Sequence, residues 1–61
     1  MKKSYYWVRF MNYGLPHAKL YYVSFSTDLE KALYEDYPTA MIYEVSYVPD
    51  EDVVKFKKEE Y

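Results

Sequence analysis

The stretch SYYWVRFMNYGLPHAKLYYVSFS (Ser4–Ser26) decides the fold. At its centre Asn12-Tyr13-Gly14-Leu15-Pro16 holds the only glycine of the chain. Glycine accepts positive φ and proline fixes its own φ, so this pentapeptide reads as a turn. The flanks, Ser4–Met11 and Ala18–Ser26, are rich in Tyr, Val and Phe. They read as two antiparallel strands joined by a loop longer than two residues.

Beyond the hairpin, Ser26-Thr27-Asp28-Leu29-Glu30 carries a helix start: Thr27 and Glu30 have the spacing of a capping box, and Asp28 favours the positive end of the dipole. Leu29, Ala32, Leu33 and Tyr37 then recur on one helical face until Pro38 ends it, which predicts a helix over residues 28–37. Thr39–Val48 alternates as a third strand, and Pro49-Asp50-Glu51-Asp52 is a turn. In Val53–Lys58, Val54 and Phe56 alternate with lysines, so a short fourth strand is the preferred reading. A helix begun by Pro49 and the three acids is the alternative. The expected fold is therefore one small α+β domain over residues 1–61. It has the order β-β-α-β, with one helix packed on one face of a small antiparallel sheet.

Strand alternation divides the side chains between two faces. Tyr6, Val8, Phe10, Tyr21, Val23, Phe25, Met41, Tyr43, Val45 and Tyr47 are assigned to the helix-covered core. Tyr5, Trp7, Arg9, Leu20, Tyr22 and Ile42, rimmed by Glu44 and Ser46, are assigned to a second face. One helix cannot cover both, so the second face is expected to be open, unless the tail folds over it.

Composition bounds the function. A chain of 61 residues has little surface to bury, and without cysteine it has neither a disulfide staple nor a thiolate metal site. Dense aromatic packing or oligomerisation must compensate. Eight of the fourteen aromatic residues lie in the first 25 positions, with Lys2, Lys3, Arg9 and Lys19 and no acid. Residues 26–52 carry eight acids against Lys31, and the formal net charge is −2. Segregated charge of this kind either steers association or is neutralised within the fold. No run approaches a membrane span and none has the apolar core of a signal peptide, so a soluble, cytoplasmic chain is expected.

Catalytic chemistry finds little footing. His17 falls in the expected loop with no carboxylate orienter nearby. Glu35-Asp36 and Asp50-Glu51-Asp52 read as solvated residues; the latter lacks the glycine of a calcium loop. No enzymatic activity, cofactor, metal or small-molecule substrate is expected. Tyr and Trp combine an apolar body with a polar handle, which suits protein interfaces. The expected function is protein binding, with Tyr5, Trp7, Arg9 and Tyr22 as anchors and Asp28, Glu35 and Asp36 orienting the partner. Short, cysteine-free chains of this style occur among phage and mobile-element accessory proteins. At that level of class, the similarity implies an inhibitor that occludes a site on a larger host protein. Two other readings stand beside it: single-stranded nucleic acid stacked on the same aromatic, cationic face, and a homodimer that uses this face as its interface.

Overall fold

The chain reverses at Tyr13 and Gly14, whose φ angles are +52° and +76°. Positive φ at both central residues is what a two-residue type I′ hairpin requires, and its twist matches that of the flanking strands. This computed structural model describes residues 2–61. In it, β1 (Ser4–Asn12) and β2 (Leu15–Val23) pair from Asn12↔Leu15 to Ser4↔Val23. The loop is thus two residues, shorter than the sequence suggested, and Pro16 and His17 lie within β2. Pro16 misled because proline interrupts a ladder. Here β2 is an edge strand, and Pro16 stands at a position whose missing N–H would have pointed outward.

α1 (Ser26–Asp36) follows, then β3 (Met41–Val48), a 3-10 turn (Asp50–Asp52) and α2 (Val53–Lys58). The sheet order is β2-β1-β3, antiparallel throughout, with β1 in the centre. The small α+β class is as read from sequence, but the tail is a second helix, not a strand. Val53 and Phe56, three residues apart, share the face that packs on the sheet, while Val54 is 67% exposed. Acids before α2 and Lys55, Lys57 and Lys58 in its last turn suit the helix dipole. α1 likewise starts earlier than expected. Phe25 is its N-cap and no side chain caps it, so the Thr27–Glu30 box is not formed, and Phe25 is exposed rather than core.

Each face of the sheet holds its own core. On the first face Leu29 and Leu33 of α1 cover Val8 and Phe10, with Ala40 beneath and Tyr6, Tyr21, Val23, Tyr37 and Ile42 around them. α1 leans toward β2. The Tyr37 ring lies 4.9 Å from Phe10 and 5.3 Å from His17, which itself stacks on Phe10 at 5.2 Å. His17 is therefore a packed strand residue, not a solvated loop residue. Burial first, then the Asp36 carboxylate, pushes the Tyr21 phenol up to about 12. On the second face Val53 and Phe56 lie over Trp7, Ala18 and Val48, with Tyr5 and Leu20 alongside.

β3 departs from simple alternation. Arg9 faces Glu44 but Phe10 faces Ile42, so Tyr43 is the extra residue of a β-bulge. One extra residue inverts the facing of everything before it. Ile42 turns into the first-face core, and Met41 and Tyr43 turn to the second face, the reverse of the expected assignment. Val45 and Tyr47 do lie on the first face, opposite Val8 and Tyr6, but α1 does not reach them and they remain exposed.

Candidate protein-contact surface

Trp7 stands apart from the other expected site residues. It is 8% exposed, with its ring 5.1 Å from Phe56. The tail closes over this half of the second face, so Trp7 packs in the core. Tyr5 is half-buried at the edge of the same cluster and meets exposed Tyr22 at 4.4 Å in a tilted pair; Lys3 lies 5.7 Å above the Tyr22 ring. Asp28, Glu35 and Asp36 are exposed on α1, across the sheet from Arg9 and Tyr22. The seven expected residues therefore do not converge. The Tyr5–Tyr22 pair, the α1 acids, a separate Arg9 and a buried tryptophan replace the single surface.

Of those seven, Arg9 leads to the part of the second face that α2 leaves open. Register places Pro16, Met11 and Met41 in one row across the three strands, and Ala18, Arg9 and Glu44 in the next. The Arg9 guanidinium donates to Glu44 Oε1 at 3.0 Å and lies 5.3 Å from the centre of the Tyr43 ring. Ser46 Oγ donates to Glu44 Oε2 at 3.3 Å, fixing the carboxylate from the other side. Tyr43, with Glu44 adding to it, holds the Arg9 pKa above its ordinary value. Met41 is 72% exposed and Tyr43 51%, and no element covers either.

This open half joins apolar Met and Tyr side chains to one neutralised, hydrogen-bonded charge pair. It offers adaptable apolar contact and a fixed polar corner. Sequence reading found Arg9 and the rim residue Glu44 but put Met41 and Tyr43 in the core. A bulge leaves no composition signal in this strand, so neither residue could be placed from the sequence.

Among the described residues there is no cavity, no cluster of three metal-ligating side chains, and no buried side-chain polar atom without a partner. No helix among them is long and apolar enough to cross a membrane. No family model, no curated protein and no solved structure matches this chain.

Proposed function

We propose that this protein is a non-enzymatic binding module that docks on a larger protein and occludes a site there, through the open half of its second sheet face. One observation carries the reading: Met41 stands exposed in a row with Met11 and Pro16, and the bulged Tyr43 stands exposed next to it beside the Arg9–Glu44 pair, at no benefit to either core. Tyr, Met and Arg are the residue types enriched in protein interfaces, and a ring of polar groups around an apolar centre is their usual arrangement. The acids of α1 face away from this surface, so they act on approach and orientation rather than as contacts.

A single-stranded nucleic acid has less to hold. Trp7 lies under Phe56, and the Arg9 charge is already engaged by Glu44. Of the aromatics expected to form the stacking platform, Tyr22, with Lys3 above it, is the one that stays exposed.

The test is capture from a lysate of the source organism with immobilised wild type, Met41→Glu, Tyr43→Ala and Val54→Ala. A partner should be retained by wild type and by Val54→Ala, and lost with Met41→Glu and Tyr43→Ala. Retention of every captured protein by all four would remove this surface as the site.

A further inference from the structure

The two edges of the sheet are unlike, and the difference has a consequence for assembly. On β2, Ala18 exchanges two backbone hydrogen bonds with Tyr61, at 2.7 and 2.9 Å, so Ala18 points its N–H and C=O outward. The two-residue period of a ladder then turns Pro16, Leu20 and Tyr22 outward as well. Pro16 has no N–H to offer. The Leu20 N–H donates to Glu60 Oε2 at 2.9 Å. Most of that edge is closed.

β3 has no such protection. Arg9 faces Ala18 in a pair that is not hydrogen-bonded across β1 and β2, so Arg9, Trp7 and Tyr5 turn their backbone groups toward β3. Val45 and Tyr47, which face Val8 and Tyr6, therefore turn theirs to the outside. Among the described residues none caps them. The strand contains no proline, lysine or arginine, the usual guards of an edge. Its outward residues are β-prone and apolar, with Val45 48% exposed and Tyr47 63% exposed. Tyr6 adjoins Tyr47 on the same face at 6.2 Å, and that patch carries no charge.

We propose that β3 pairs antiparallel with β3 of a second copy of this chain, merging two three-stranded sheets into one of six strands. The register follows from the bulge. An axis through Ser46 sets Val45 opposite Tyr47 of the partner copy and Tyr47 opposite its Val45, a favourable aromatic and β-branched pair on one face. An axis through Val45 would instead oppose Tyr47 to the bulged Tyr43, where the ladder is broken. An axis through Glu44 would oppose two carboxylates. In the Ser46 register each Glu44 faces Val48 of the other copy and keeps its bond to Arg9.

Neutral, self-matched chemistry is what favours a second copy over a foreign strand, since the one charge on this edge, Glu44, is already paired with Arg9 and recruits no unlike one. Assembly also stops at two, because the edges left over are the closed β2 edges. One strand pairing of this length is smaller than the roughly 800 Å² per copy of a standard interface, so the dimer is expected to be concentration-dependent. The two-fold axis stands perpendicular to the sheet. Both Met41–Tyr43 surfaces then lie on the same side of the dimer, doubling the valency of the surface proposed above without using it.

Sedimentation of wild type from about 1 to 300 μM should show passage from the 7.5 kDa monomer toward twice that mass. Val45→Lys and Tyr47→Lys should remain monomeric throughout, with helix content and Trp7 emission unchanged in dilute solution. Should either variant fail to fold, amide exchange of the wild type serves instead. The Val45 and Tyr47 amides should slow by at least about tenfold over the same range while the Tyr22 amide does not. A wild type that stays monomeric at the highest concentration overturns the proposal. So does a dimer that survives both lysine variants, and so does one that is lost with Tyr43→Ala instead.

Discussion

Replacing Phe56 with alanine tests whether α2 closes the second face. A fully buried Phe→Ala change costs about 3–5 kcal/mol, through lost transfer energy and the cavity left behind. Phe56 is half-buried, and its ring meets Trp7 at 5.1 Å in a tilted pair. Roughly half the full cost is therefore expected, about 2 kcal/mol, a large share of the total stability of so small a domain. For a domain of this size that corresponds to a fall in Tm of about 8–16 °C. Val54→Ala, two residues earlier on the exposed side of the same helix, should change stability by less than about 0.5 kcal/mol. The assay is thermal unfolding followed by circular dichroism and by the emission of Trp7, the only tryptophan. Phe56→Ala should also shift the native Trp7 emission to longer wavelength and make it easier to quench, because the ring loses its cover. If melting and quenching both match wild type, α2 does not seal this face. Trp7 would then regain its standing as a candidate anchor.

Tyr13→Asn should stabilise the protein by about 0.5–1 kcal/mol, read as a rise in Tm, because an exposed Tyr at φ +52° gains nothing from packing and Asn tolerates that region better. The Tyr21 phenol, at about 12 in the folded state against an ordinary 10.0, keeps its proton over a window where the unfolded chain loses it. Its contribution to stability should therefore be fully present below pH 10 and be lost between pH 10 and 12. Screening at a half-exposed ring limits that fall to about 1 kcal/mol, and denaturant melts of Tyr21→Phe should lack this part of the slope. Glu60→Ala removes the acceptor of the Leu20 N–H and should cost about 1 kcal/mol; faster exchange of the Leu20 amide than of the Ala18 amide would locate the loss.

Residues with a strong local signature were legible in the sequence. Gly14 marked the reversal, Leu29 and Leu33 the covered face of α1, and Pro38 the region where α1 ends. What escaped depends on tertiary partners. Pro16 joins a strand because that strand lies at an edge, which no local window reveals. Val53–Lys58 alternates well enough for a strand, yet it coils because Val53 and Phe56 gain burial on Trp7 and Val48. The bulge at Tyr43 had the widest effect on the site, since a single unpaired residue reversed the facing of Met41, Ile42 and Tyr43. Arg9 and Glu44 lie on the second face as read, but their neighbours Met41 and Tyr43 were assigned to the other one.

The tail and the bulge together explain how so short a chain holds both a stable sheet and a free surface. β1 supplies Val8 and Phe10 to one core and Trp7 to the other, so its inward positions are committed on both sides. β3 gives Ile42 to the first core and Val48 to the second, and little else. Met41, Tyr43, Val45 and Tyr47 could be replaced by Lys, Glu or Thr without uncovering either cluster, and such residues would guard the edge against stray pairing. A strand whose only role was structural would gain from those replacements in solubility at little cost in stability. That all four positions are instead apolar or aromatic, on both faces of an open edge, is what supports the proposal that β3 works between molecules as well as within one.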